Sequence, residues 1–295
     1  MTHISQFVQS VAGGERAKHM TVKRPEGMVR LEIGTPSFPT PEHICRAAKE
    51  ALDAGLTFYA PGYGDPEYLQ AVCETIHRET GAEYSPDDVF ATNGASSGIY
   101  TAMTAFLDPG DEVIFMDPTF SLYSHVVRQL GAVPVLVPHN ADYHIDTEAV
   151  RSAVTPRTRV VLICNPNNPT GVVYTREEIR ALVELCAEKD LMLISDEAYE
   201  KILQPGYEHI PLLSFQEHRE RLILLNSLSK TYSMTGWRIG HMVTPPPALP
   251  SCSSESTDPS TAPSALSLSA PAPPPSGAPR NASPKWRRDT SSAAA

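Results

Sequence analysis

No stretch of this 295-residue chain approaches the roughly 18 consecutive apolar residues that a membrane helix requires. The first twenty residues, MTHISQFVQSVAGGERAKHM, contain no apolar run of the length a secretion signal carries, so a cytoplasmic protein is expected. Cysteine is scarce as well: Cys45, Cys73, Cys164, Cys186 and Cys252 form no CxxC pair, and an odd number fits no closed disulfide framework. Reduced thiols without a metal role follow, with Cys164 and Cys186 read as small core residues because they sit in apolar stretches. Positive charge is in deficit. Lys and Arg number 24 against 34 Asp and Glu, a net charge of -10, and a chain without a basic face releases no phosphate counterions. The balance argues against nucleic acid and anionic membrane surfaces as partners, and small molecules are the expected ligands. What the chain does have is 41% hydrophobic residues, enough for one large core or two modest ones.

The composition breaks near Pro245, after which Pro, Ser and Ala supply 34 of the last 51 residues. Such a segment cannot offset its ordering entropy by burial and is expected to be disordered. Upstream, short apolar runs at 89–92, 113–116, 133–137, 160–164, 191–195, 222–225 and 239–243 read as strands. Helical patterns fill several of the gaps. Thr175 and Glu178 form a capping box ahead of Ile179, Leu182, Val183 and Cys186 at i, i+3, i+4, i+7. Thr40-Pro41 and Asp65-Pro66 each predict a cap followed by proline at the first helical position. Alternating strands and helices define an α/β fold with three αβα layers around a mainly parallel seven-stranded sheet. Ligands of such sheets collect beyond the carboxyl ends of the strands.

The loops at those ends carry the chemistry. Asn93-Gly94-Ala95-Ser96-Ser97-Gly98 is a small-residue turn that opens a helix and can offer backbone N–H groups to an anion. Asn165-Pro166-Asn167-Asn168-Pro169-Thr170-Gly171 is too rich in turn formers to extend its strand, and it holds Asn168 where an amide could meet a ligand oxygen. Ser195-Asp196-Glu197-Ala198-Tyr199 places acid at the end of an apolar strand, where a carboxylate needs a cationic partner. In Ser227-Leu228-Ser229-Lys230 and the following TYSMTGWRIG, a lysine just past a strand is followed eight residues later by Arg238, a side chain suited to bidentate phosphate contact. A lysine to form a Schiff base, an aspartate for a pyridinium nitrogen and clustered phosphate binders are together what pyridoxal-5'-phosphate (PLP) chemistry uses.

These motifs, with IGTP at 33–36 and YAPG at 59–62, stand in one fixed order in which the chain resembles the PLP-dependent class I/II aminotransferases of fold type I, near the aspartate and aromatic enzymes. The resemblance runs from about Val29 to Val243. It implies that Lys230 holds the cofactor and shuttles a proton, that Asp196 pairs with the pyridine nitrogen, and that Asn168 and Tyr199 bond the ring oxygen. It further implies that Phe120 stacks on the ring and that Ala95, Ser96, Ser227, Ser229 and Arg238 surround the phosphate. Tyr59 would reach the phosphate of a neighbouring subunit, hence a homodimer, and Gly34 would let backbone approach the substrate carboxylate beside Asn168. Lys230, Asp196 and Tyr199 are the expected catalytic set, acting on an amino acid and a 2-oxo acid. Aspartate-like and aromatic donors both fit.

The same resemblance implies residues 1–45 as an arm and small-domain fragment and 46–244 as the PLP-binding domain, and the composition break leaves 245–295 as the tail. Relatives continue past GWRIG into a small domain that supplies an arginine for the substrate α-carboxylate. Here that stretch is Pro/Ser/Ala-rich, and Arg280, Arg287 and Arg288 match no family motif. An impaired enzyme with exposed apolar surface is the expectation, with a PLP-binding pseudoenzyme or a PLP lyase or decarboxylase on the same core as alternatives. Ser227 to Lys230 also fits the SxxK pattern of penicillin-binding proteins, but the SDN and KTG partners are absent.

Overall fold

The computed structural model describes Gly27 and residues 34–244. The rest of the proposed N-terminal arm, the tail from 245 and Arg280, Arg287 and Arg288 lie outside the described residues.

Local signals set the helices. Helix α1 spans Glu42–Asp53 and α2 spans Pro66–Thr80. At α2 the Asp65 side chain accepts from the amides of Glu67 and Tyr68, Pro66 occupies the first helical position, and Gly81 closes the far end in a left-handed conformation. The parallel expectation for Thr40-Pro41 needs correction. Pro41 is itself the cap of α1, and no side chain caps that helix. The Thr40 hydroxyl instead donates to the Ser233 carbonyl at 2.7 Å and accepts from the Trp237 indole at 3.1 Å. A tertiary bond has won over the local one, and it ties the start of α1 to the segment after Lys230.

Strand β1 (Val89–Thr92) leads to α3 (Ala95–Phe106), β2 (Glu112–Asp117), α4 (Leu122–Gln129), β3 (Val133–Pro138), α5 (Thr147–Ala153) and β4 (Thr158–Cys164). Then come α6 (Arg176–Lys189), β5 (Met192–Asp196), β6 (Leu222–Ser227), the one-turn α7 (Leu228–Thr231) and β7 (Gly240–Val243). The capping box of α6 is formed as expected, with Thr175 accepting from the Glu178 amide and Glu178 from the Thr175 amide.

All seven expected strands join one sheet in the order β1-β7-β6-β5-β4-β2-β3. Pairs β2–β3, β2–β4, β4–β5 and β5–β6 are parallel, and β7 alone runs antiparallel, to both β1 and β6. Because both faces are covered, the inner strands are apolar runs: every residue of β6 and residues 160–164 of β4 are buried. One face packs against α2, α5 and α6, through residues such as Val72, Val150, Leu182 and Val183. The other packs against α3 and α4, through Ile99, Met103, Tyr123 and Val127.

This topology gathers the functional loops. Strands β1, β2, β4, β5 and β6 end at one edge, and the reversed β7 begins there. Register makes the neighbours explicit: Asp196 lies beside Cys164, Ser227 beside Gly240, and Thr92 on the other side of Gly240.

Candidate active site

The turn from β1 into α3 is built for close approach. Gly94 sits at φ 77°, ψ 168°, a region open essentially to glycine alone, and a Cβ there would collide with the Arg238 guanidinium. A Cβ on Gly240 would come within 2.9 Å of the Gly94 carbonyl carbon and 3.0 Å of the Ala95 amide nitrogen. Two glycines therefore let the first turn of α3, with Ala95 and an exposed Ser96, settle onto the sheet edge beside Ser227. The opening amides of a helix have no partner within it and favour an anion.

Ser227 ends β6 and caps α7, its Oγ accepting from the Ser229 amide and lying 2.9 Å from Ser229 Oγ. Arg238 adopts a left-handed φ of 59°, uncommon for a side chain of its size and typical of functional sites. That conformation turns its guanidinium back over the β1 turn, where it donates to the carbonyls of Asn93 at 3.2 Å and Thr235 at 3.0 Å. The expected phosphate set thus surrounds one cradle.

Lys230 lies on α7 rather than in the loop the sequence implied. Its Nζ donates to the Gly34 carbonyl at 2.5 Å and stands 5.7 Å from the centre of the Tyr199 ring. A Cβ on Gly34 would meet both Lys230 Nζ and the Tyr199 hydroxyl at 3.7 Å. Asn168 Nδ2 donates to that hydroxyl at 3.4 Å. Gly34, Asn168, Tyr199 and Lys230, four residues spread over 197 positions of sequence, are one cluster in space.

Asp196 ends β5, 5% exposed. It accepts from the Tyr123 hydroxyl at 2.9 Å and the Ala198 amide at 3.2 Å. Burial pushes its carboxyl up to about 6, against the lowering effect of those bonds and of Lys230. Phe120, at the end of the β2 loop, packs over the second core face, edge-on to Tyr123 with ring centroids 5.6 Å apart. Tyr59 is 76% exposed in the loop between α1 and α2.

Sequence reasoning missed the support beneath these groups. Tyr123 is fully buried and three residues beyond Phe120, one turn away, with its amide donating to the Phe120 carbonyl at 3.2 Å where the chain enters α4. That spacing was the available signal. Glu197 is 1% exposed and accepts from Ser195 Oγ, the Leu212 amide and the ring of His209, whose Nε2 lies 2.9 Å away. The partner of Glu197 comes from an irregular segment with no periodic signal, so nothing in the sequence announced it. The pair braces the β5 loop from behind.

The donor set fits PLP. A buried carboxyl already bonded to a neutral phenol suits a protonated ring nitrogen, and the glycine cradle between Arg238, the first turn of α3 and Ser227 suits a phosphate. A lysine amine, on the turn that Ser227 caps, completes the set.

This fold and these loops define the PLP-transferase class of fold type I. Comparison with known proteins agrees: the profile of class I and II aminotransferases matches residues 26–272. That span continues beyond Val243, where the motif resemblance ends. Over 274 residues the chain is 39% identical to a probable aspartate/prephenate aminotransferase of Thermus aquaticus, covering 90% of this chain and 70% of that one. It is 38% identical to an aspartate aminotransferase of Geobacillus stearothermophilus, covering 78% of this chain and 59% of that one. The structure of Thermus thermophilus aspartate aminotransferase with maleate superposes with a TM-score of 0.80 at 36% identity, over 92% of this chain and 72% of that one. The chain therefore belongs to the class I and II aminotransferase family, whose enzymes use PLP. It spans 55% to 62% of the length of several curated relatives it matches.

Proposed function

We propose that this chain is the PLP-binding part of a transaminase that moves an amino group between an acidic or aromatic amino acid and a 2-oxo acid, as a homodimer in the cytoplasm. One observation carries the reading: the edge where β1, β5 and β6 end and β7 begins gathers a lysine amine, a buried carboxyl and a glycine cradle under an arginine. When bound, PLP supplies a conjugated ring that accepts the electron pair left at the substrate Cα after proton loss. This chain's residues do the rest. Arg238, Ser227, Ser229, Ser96 and the first turn of α3 hold the phosphate by charge-assisted and backbone bonds. Asp196 holds a proton on the ring nitrogen, Asn168 and Tyr199 orient the ring oxygen, and Phe120 covers one ring face. Lys230 fixes the cofactor and moves the α-proton at Nζ. Its bond to the Gly34 carbonyl supports this, because the amine already reaches the segment where the substrate carboxylate would lie. Positioned proton transfer of this kind contributes roughly 10²- to 10⁴-fold. The exposed ring of Tyr59, beside Phe58 at 82% exposure, supports a contact with a second subunit.

The test is borohydride trapping. The chain purified with PLP is expected to show a band between about 360 and 430 nm, and peptide mass spectrometry after reduction to place a single pyridoxyl adduct on Lys230. No band, or adducts scattered over surface lysines, would overturn the reading.

A further inference from the structure

Among the buried polar groups that the reaction above leaves without a task, Tyr123 is the best placed. Its side chain is fully buried at the start of α4. Its hydroxyl donates to Asp196 Oδ2 at 2.9 Å, and its ring meets Phe120 edge-on at 5.6 Å and 89°. One side chain thus touches both the carboxyl assigned to the ring nitrogen and the aromatic assigned to the ring face. We infer that Tyr123 is a positioning residue: it fixes Asp196 as an oriented, charged acceptor for the cofactor nitrogen and sets how firmly PLP is held.

The inference rests on the proposed function, and its physical content is a competition over one carboxylate. Asp196 is out of water, which favours its neutral form, and a neutral carboxyl cannot balance a protonated ring nitrogen. The groups facing it are Tyr123 from α4, Cys164 from β4, the Ala198 amide and Glu197 from its own loop, and Lys230 from α7. Burial raises the carboxyl and Glu197 adds to that, whereas the Tyr123 bond, the Ala198 amide and Lys230 oppose it. Burial pushes the phenol itself far above its ordinary value, with the charge of Asp196 adding to this. Tyr123 therefore stays neutral and remains a donor. Lys230 is committed to the cofactor when it binds, so among the protein's own groups the hydroxyl and the amide remain to favour the ionised Asp196 beside the charge of the ring nitrogen.

The experiment is Tyr123→Phe in the full chain, which removes one oxygen and keeps the ring against Phe120. Affinity for PLP is measured by equilibrium dialysis across pH, for wild type, Tyr123→Phe, Asp196→Asn and the double variant. A lost bond to a charged group predicts PLP binding weakened roughly 10-fold or more. It also predicts an acid limb of binding displaced to higher pH and no further weakening from Tyr123→Phe once Asp196 is Asn. Equal weakening in both backgrounds would mean that the phenol only packs, and unchanged affinity and pH dependence would refute the role outright. Carboxyl ¹³C titration of the cofactor-free chain decides the point independently. The Asp196 midpoint should rise in Tyr123→Phe, and an unmoved midpoint sinks the inference whether or not PLP binds. If wild type fails to form the Lys230 adduct, the proposed function falls separately.

Discussion

Replacing Asp196 by Asn should strengthen the cofactor-free fold while it ruins the site. Asp196 is 5% exposed, and burial raises its carboxyl to about 6. A carboxyl with a raised folded value binds more protons in the folded chain than in the unfolded one. The destabilisation is therefore absent below about pH 4, grows as the pH rises, and is complete once the pH has passed about 6. From an unfolded value near 3.9 the difference corresponds to about 3 kcal/mol at pH 7, an order-of-magnitude figure. Asn keeps the shape and an acceptor for the Ala198 amide or the Tyr123 hydroxyl without the buried charge. Urea unfolding of the cofactor-free protein at pH 4 and pH 7 should show little difference between the two forms at pH 4. At pH 7 Asp196→Asn should be more stable by up to about 3 kcal/mol, whereas PLP affinity drops sharply. Equal stability of the two forms at pH 7 would refute the claim that Asp196 is held in unfavourable burial for its function.

Gly94→Ala forces a side chain into a backbone region reserved for glycine and against Arg238. Calorimetry should show a loss of about 1–3 kcal/mol, and phosphate-dependent PLP retention should fall with it. A well-bound, unperturbed variant would show that the cradle is not set by this glycine. The His209 ring is raised from its ordinary value because Glu197, by charge and by hydrogen bond, and then Glu200 outweigh burial, which lowers it. Its contribution is fully present below about pH 6.5 and is lost as the pH rises through the raised folded value. Glu197→Gln should remove that pH dependence from the unfolding curve and loosen the β5 loop, read as faster amide exchange near Ala198. A pH profile that survives the substitution would place its origin elsewhere.

The strands were legible because a parallel sheet buried on both faces leaves apolar runs bounded by turn residues. β1 was read to its ends, and the others shifted by one or two residues where polar termini such as Asp117, Asp196 and Ser227 still pair in the sheet. Helix caps were legible where the cap bond is local, as at Asp65 and Thr175. At Thr40 it failed, since the hydroxyl had a distant partner in Ser233 that no local pattern encodes. Lys230 and Arg238 were found by residue chemistry beyond a strand end. The backbone that aims them, a helical turn for one and a left-handed φ for the other, was not. The buried supports were hidden for the same reason as Thr40. Tyr123 meets Asp196 across 73 residues and His209 meets Glu197 across a loop, so each pairing exists only after the sheet has ordered the strands.

That ordering also explains why one strand had to be reversed. In an all-parallel sheet, the segment preceding a strand enters from the edge opposite the functional loops. β7 instead begins beside Ser227 and Thr92, so the residue just before it, Ile239, and Arg238 ahead of that, arrive at the carboxyl edge without another crossover. The antiparallel pairing also brings the Ile239 carbonyl to the Leu228 amide at 3.1 Å and to Ser227 Oγ at 3.2 Å, locking the arginine segment to the turn that carries Lys230. Gly240 is the condition for this, because any side chain there would press into the Asn226 carbonyl at 2.6 Å and the Gly94–Ala95 peptide. The anion cradle and the lysine are therefore not independent features of two loops. They are held in register by one reversed strand, and a change that shifts β7 should displace both together.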